Sequence, residues 1–88
     1  MANATNTEAI MRVVRALKEY SADTKQTMKQ MQDAASDCYE NMEEDDVSKK
    51  AMEQLDGCLH GLQKATAKAD EIAQKLTNKA KAVENAAR

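Results

Sequence analysis

Apolar and small side chains recur through the first half of the chain in alternating steps of four and three residues. This spacing places them on one side of a helix, as the a and d positions of a heptad repeat. We therefore predict a helix over about residues 6–43. The positions of its seam are Ile10, Val14, Leu17, Ser21, Thr24, Met28, Met31, Ala35, Cys38 and Met42.

The second half of the chain carries a similar pattern and predicts a second helix over about residues 46–86. Its a positions are Leu55, Leu62, Ala69, Leu76 and Val83, and its d positions are Ala51, Cys58, Ala65, Ile72, Lys79 and Ala86. Four further residues widen the apolar stripe, namely Met52, Leu59, Ala73 and Ala80. A stripe wider than one seam predicts that this helix contacts more than one neighbour.

The pattern lapses at four consecutive acids, Glu43 to Asp46. Carboxylates are favourable at the start of a helix, where N–H groups are unpaired, so we predict a turn over residues 43–47 with Asp45 or Asp46 as the N-cap. A calcium loop is the competing interpretation, but its alternating acids, central glycine and closing glutamate are missing. Residues 1–4 are predicted to be a disordered tail, followed by a capping box from Thr5 to Glu8.

Composition supports an all-α fold in one domain of 88 residues, because the chain has no proline and only 2% aromatic residues. We predict an antiparallel two-helix hairpin that folds back near residue 45, with helices roughly 60 Å long. Folding there pairs Leu17 with Ile72 and forms two layers of small residues, Ser21/Ala69 and Thr24/Ala65. Ile10 faces Lys79, which is the poor layer of this arrangement.

The net charge of −2 does not favour a nucleic-acid or membrane binder. Residues 1–46 carry a net −5 and residues 47–88 a net +3, which favours weak attraction between the helices. The lysine-rich last third has no aromatic residue to stack on bases. No apolar run is long enough to span a membrane, and the first residues do not resemble a cleavable signal peptide. We expect synthesis in the cytoplasm and, if there is export, a route without a cleaved signal.

Candidate chemistry is sparse. His60 is the single histidine and falls on the outward side of the second helix, so no catalytic, metal or cofactor-binding residue is predicted and the chain is not expected to be an enzyme.

Cys38 and Cys58 are predicted to be buried, reduced thiols about 10 Å apart along the seam. An intermolecular disulfide is the alternative, and a redox or metal sensor is the least favoured function. Gly57 and Gly61 indicate either a weak point in the helix or a groove for a partner helix.

A lone hairpin has one interface and no enclosed core, so it needs a partner to bury its remaining apolar surface. Docking a second hairpin would give a four-helix bundle, and we predict a dimer of the chain with itself or with another small helical protein. The predicted partner-binding residues of the helical seam are Ile10, Val13, Val14, Leu17, Tyr20, Met28, Met31, Met52, Leu55, Leu59, Leu62, Ile72 and Leu76.

In length, in its two long helices and in its central turn, the chain resembles the WXG superfamily, the small helical-hairpin proteins of type VII secretion systems. It is also similar to the small helical proteins that accompany LXG-type toxins. The Trp-x-Gly of the family turn is replaced by EEDDVS, and the stretch from Ala80 to Glu84 lacks the tyrosine of the family's C-terminal export motif. No functional residue therefore carries over from either motif.

The resemblance implies a secreted factor or targeting partner that acts as a homodimeric or heterodimeric bundle, with a toxin's helical targeting domain among the candidate partners. In a heterodimer the partner could supply the export signal. The alternative hypothesis is a cytosolic coiled-coil structural or adaptor protein with no export role.

Overall fold

The computed structural model describes residues 7–42 and 45–86, which form two helices, α1 (Thr7–Asn41) and α2 (Asp46–Ala86). The helices pack against each other as an antiparallel hairpin of 65 × 17 × 16 Å, and no strand is present in these two ranges. This confirms the predicted all-α hairpin. The predicted tail over residues 1–4 and Thr5 of the predicted capping box lie outside the described residues.

Asp45 caps the start of α2, as the sequence predicts. The Ser48 backbone N–H donates to Asp45 Oδ1 at 2.7 Å, and the Lys49 N–H donates to the Asp45 carbonyl oxygen at 3.0 Å. The hydrogen bond from the Ser48 backbone N–H is the main cause that lowers the pKa of the Asp45 carboxyl. The charged form of Asp45 therefore stabilises the first turn of α2.

The predicted seam of α1 is confirmed over most of its length. Val14, Ser21 and Met28 are buried, with Val14 completely inaccessible to solvent. The neighbouring row of the heptad, which runs from Ile10 to Met31, is half-buried. Cys38 is the exception, because it is exposed and its thiol lies 3.6 Å from the Met42 sulfur. The prediction of a buried Cys38 is wrong.

The seam of α2 uses a different pair of rows from the predicted pair. The predicted a row is buried or half-buried, but the row packed beside it consists of Met52, Leu59, Thr66, Ala73 and Ala80. The predicted d row is exposed throughout, including Cys58 and Ile72. Because successive residues are 100° apart on a helix, α2 is rotated by about 50° about its own axis from the predicted orientation.

This rotation corrects several predictions for physical reasons. It buries the large side chains of Met52 and Leu59 in place of Ala51 and Cys58, and it leaves the Lys79 ammonium in water. Met52, Leu59, Ala73 and Ala80 are thus part of the hairpin seam, and their predicted role as a strip awaiting another neighbour is wrong. The pairing of Leu17 with Ile72 and of Thr24 with Ala65 is lost for the same reason, because Ile72 and Ala65 are both exposed.

The position of α2 along α1 agrees with the predicted fold-back near residue 45. Lys25 Nζ lies 3.0 Å from Asp70 Oδ2, and Ser21 is buried beside the same carboxylate. Residue 70 is therefore level with residues 21–25 of α1. This matches the predicted level of the Ser21/Ala69 layer, and both of those side chains are buried.

We predict that two adjacent residues of α2 respond very differently to truncation. Leu59→Ala removes a side chain that is 7% exposed and should lower the free energy of unfolding by about 2–4 kcal/mol. Cys58→Ala removes an exposed side chain and should change it by less than about 0.5 kcal/mol. Urea denaturation followed by circular dichroism measures the change in the free energy of unfolding for both variants. A larger loss for Cys58→Ala than for Leu59→Ala would show that the predicted heptad of α2 was correct.

Candidate protein-binding face

Helical periodicity and one ion pair determine which outer residues of α1 and α2 share a side of the hairpin. In each helix, two rows flank the seam at about 70° on either side. Lys25 lies in one flanking row of α1 and Tyr20 in the other, and Asp70 and Ile72 lie in the two flanking rows of α2. Because Lys25 contacts Asp70, these two rows lie on the same side. Tyr20 and Ile72 therefore share the opposite side.

The side that carries Tyr20 and Ile72 has a stretch of exposed residues without charge, which we call the uncharged face; the exposed Lys79, next in the row of Ile72, borders it at the end of the hairpin that holds both chain ends. All of its residues are exposed, and Val13, Tyr20 and Ile72 are 50%, 45% and 38% exposed. An exposed strip of apolar and small residues with a charged rim is typical of a protein-binding surface. The uncharged face consists of Val13, Tyr20, Thr27 and Ala34 from α1 and Ala51, Cys58, Ala65 and Ile72 from α2.

The opposite side, the charged face, carries the ion pair between the helices. It includes Lys18 and Lys25 from α1 and Asp56 and Asp70 from α2, all of them exposed. The Lys25–Asp70 pair has side chains that are 58% and 46% exposed, so solvent screens much of its attraction. This pair shows which flanking rows share a side, and it contributes little to the stability of the fold.

The Ser21 hydroxyl and then the Lys25 ammonium lower the pKa of the Asp70 carboxyl. Ser21 Oγ is buried and makes no hydrogen bond within 3.5 Å among the described residues. Its interaction with Asp70 is therefore a long polar contact across the seam. A second acidic group, Glu71, has its pKa lowered chiefly by Lys75, whose Nζ lies 3.1 Å away, and also by Lys68.

The structure separates the predicted partner-binding residues into two groups. Val13, Tyr20 and Ile72 lie on the uncharged face, where a partner can reach them. The others are buried or half-buried in the seam between α1 and α2, so they hold the hairpin together: Ile10, Val14, Leu17, Met28, Met31, Met52, Leu55, Leu59, Leu62 and Leu76. Sequence reasoning missed Thr27, Ala34, Ala51 and Ala65 as part of the exposed face, and the signal that could have revealed them is the absence of charge from Val13 to Ala34 in one row and from Ala51 to Ile72 in the other.

The remaining candidate residues lie on the outside of the hairpin. His60 is exposed, as predicted. Cys38 and Cys58 are both exposed free cysteines, so the prediction of buried thiols is wrong for each. Gly57 and Gly61 lie within regular α2, and a Cβ atom added at either would meet no atom within 4 Å.

Within residues 7–42 and 45–86 the hairpin encloses no cavity and brings no three histidine, cysteine or carboxylate side chains together. Neither of its two described helices has an apolar stretch long enough to cross a membrane.

No family model, no curated protein and no solved structure matches the chain.

We predict that the hairpin loses stability in acid because three carboxyls have lowered pKa values in the folded state. Asp45 and Asp70 lie below their ordinary value of 3.8 and Glu71 lies below 4.5. Their contribution is present above the unfolded-state pKa and is lost as the pH falls through the folded-state pKa. The melting temperature should thus be level from pH 7 to about 5.5 and fall below about pH 5.

Two variants test which carboxyl causes the loss of stability at low pH. Asp70→Asn should make the melting temperature less sensitive to pH between about 5 and 3 than that of the wild type. Asp56→Asn is the matched control, because Asp56 lies on the same face outside the Lys25–Asp70 ion pair, and it should keep the wild-type slope. Equal slopes for Asp70→Asn and the wild type would contradict a folded-state role for Asp70.

We predict that Gly57→Ala and Gly61→Ala each raise the free energy of unfolding by about 1 kcal/mol, because alanine favours the helix and meets no neighbour. Urea denaturation measures the gain. If Gly61→Ala instead weakened self-association without stabilising the hairpin, the interpretation of the two glycines as a groove for a partner helix would be supported.

Proposed function

We propose that the chain is a small non-enzymatic helical-hairpin protein of a type VII, WXG-like secretion system. It acts as a secreted factor or targeting partner by assembling into a dimeric helical bundle. The observation that carries this proposal is the uncharged face, which extends along the hairpin from Val13 and Ile72 to Ala34 and Ala51. A second helical hairpin is the partner whose shape fits such a long, narrow surface.

The energetics of the hairpin support assembly. Val14 is the only large side chain among the described residues that is fully buried, so the seam alone provides a thin core. Val13, Tyr20 and Ile72 remain 38–50% exposed on one side. Covering them with another hairpin would turn an outer surface into the centre of a four-helix bundle and would add apolar burial to both partners.

The assignment to a secretion system is supported by the resemblance in shape, namely two long helices joined near the middle of the chain. The partner is a second copy of the chain, another small helical protein or the helical targeting domain of a toxin. The competing function is that of a cytosolic coiled-coil adaptor, which would use the same uncharged face for stable assembly inside the cell.

The test is the location of the tagged, full-length chain in its native host. We expect the chain in the culture medium of the intact strain and its retention in a strain whose type VII system is inactivated. A cytoplasmic marker protein controls for lysis. Retention of the chain in both strains, together with stable assembly inside the cell, would contradict the proposal and establish the adaptor function.

We predict that assembly is required for export. The double variant Tyr20→Ser/Ile72→Ser should reduce the exported fraction at least severalfold, because it removes the largest side chains of the uncharged face. Tyr39→Ser is the matched control, since Tyr39 is a 57% exposed tyrosine in the flanking row of the charged face. Wild-type export of the double variant would show that the uncharged face is not used in secretion.

A further inference from the structure

Sulfur-containing side chains are concentrated in the half of the hairpin that contains the turn. The chain has six methionines and two cysteines. Four of the methionines and both cysteines lie between residues 28 and 58, namely Met28, Met31, Cys38, Met42, Met52 and Cys58. Methionine often serves only to fill a core. The three of these residues nearest the turn, Cys38, Met42 and Met52, include a free thiol.

Cys38 and Met42 already place two sulfur atoms together on α1. The Cys38 thiol donates to Met42 Sδ, and the two sulfur atoms are 3.6 Å apart. Two sulfur ligands that are each about 2.3 Å from one metal ion, at a ligand–metal–ligand angle of about 109–120°, are about 3.8–4.0 Å apart. The pair therefore needs only a small movement to hold one ion. Cys38 is exposed and Met42 is half-buried, so an ion can reach both from solvent.

Met52 brings a third sulfur atom to the same level from α2. Asp70 is level with residues 21–25, and α2 runs antiparallel to α1. Residue 52 precedes residue 70 by 18 positions, so it is level with residues 39–43 of α1. Met52 is 6% exposed and lies in the seam. Its three rotatable side-chain bonds allow the thioether to turn toward an ion between the helices without movement of the backbone.

The surroundings of these three residues favour a bound cation. The half of the hairpin around the turn, residues 26–65, has a net charge of −5, which attracts positive ions. The α1 side of the seam also provides little burial near the turn, because α1 has no buried residue after Met28. An ion shared by the two helices would therefore stabilise the part of the seam that α1 stabilises least.

We propose that Cys38, Met42 and Met52 bind one monovalent copper ion, Cu⁺, between α1 and α2 at the turn end of the hairpin. Thiolate and thioether sulfur are the soft ligands that select Cu⁺. Cys38 binds as the thiolate and its proton passes to water, so the charge of the thiolate balances that of the ion. The copper remains Cu⁺ throughout, and no electron is transferred. This site goes beyond the proposed function and does not depend on it.

Other common metal ions fit these ligands poorly. Ca²⁺ and Mg²⁺ require oxygen ligands, and a structural Zn²⁺ site uses four cysteine, histidine or carboxylate ligands. No three such side chains come together within residues 7–42 and 45–86. A soft thioether adds more to the affinity for Cu⁺ than to the affinity for Zn²⁺. The three sulfur atoms therefore predict selectivity for Cu⁺ over Zn²⁺.

Binding is tested by titrating the reduced, full-length chain with Cu⁺ in competition with a chromophoric Cu⁺ chelator, in the absence of oxygen. We expect one Cu⁺ per chain. Cys38→Ser should reduce the affinity at least about 100-fold, because it removes the thiolate ligand. Met42→Leu and Met52→Leu should each reduce it at least about tenfold, because leucine keeps the size and apolar character of methionine but lacks sulfur. Circular dichroism checks that each variant keeps its helices.

Cys58→Ser and Met28→Leu are the matched controls. Cys58 is also an exposed free cysteine and Met28 is a buried methionine of the seam, and both lie outside the proposed site. Each should change the affinity by less than about twofold. Equal losses for Cys58→Ser and Cys38→Ser would show that Cu⁺ binds to exposed thiols only and would overturn the site. Wild-type affinity for either methionine variant at the site, or one Cu⁺ shared by two chains, would overturn it as well.

Two further measurements on the Cu⁺-loaded chain test the link between the helices. X-ray absorption should count three sulfur neighbours at about 2.3 Å in the wild type and two in Met52→Leu. Hydrogen exchange should slow on Cu⁺ binding in residues 35–42 of α1 and 46–52 of α2, and change little in residues 10–17. Slower exchange confined to α1, or an equal sulfur count for Met52→Leu and the wild type, would overturn the shared site.

Discussion

The rotation of α2 about its own axis determines the rest of this structure. Two helices share one seam, so the rotation decides which side chains are buried and which form the outer faces. Burying Met52 and Leu59 places Cys58 and Ile72 outside, and it places Asp70 beside Lys25. The core, the ion pair between the helices and the uncharged face are therefore consequences of one angle.

The hairpin combines a thin core with an outer face that carries no charge. Ser21 and Thr66 are buried polar residues within the seam, and Thr66 satisfies its hydroxyl by donating to the Gln63 carbonyl oxygen at 3.0 Å. Ser21 Oγ has no such bond among the described residues. A core of this kind leaves a small margin of stability, which makes burial of Val13, Tyr20 and Ile72 against another helical pair energetically valuable.

Net charge and side-chain size both differ between the two halves of the hairpin. The half around the turn, residues 26–65, has a net charge of −5, and the half with both chain ends has a net charge of +3. On the uncharged face, the acidic half around the turn carries small side chains, and the basic half with the chain ends carries the large side chains of Tyr20 and Ile72.

The sequence by itself determined the two helices, the turn near residue 45, the Asp45 cap and the seam of α1. These features depend on local propensity and on a heptad pattern that has one consistent assignment from Ile10 to Met31. In α2 the pattern has two assignments, because apolar residues occupy the rows on both sides of Leu55, Leu62 and Leu76. Only the tertiary structure decided between these rows, since packing against α1 favours the larger buried area and keeps Lys79 in water. The exposure of Cys58 and the existence of one uncharged face follow from that choice.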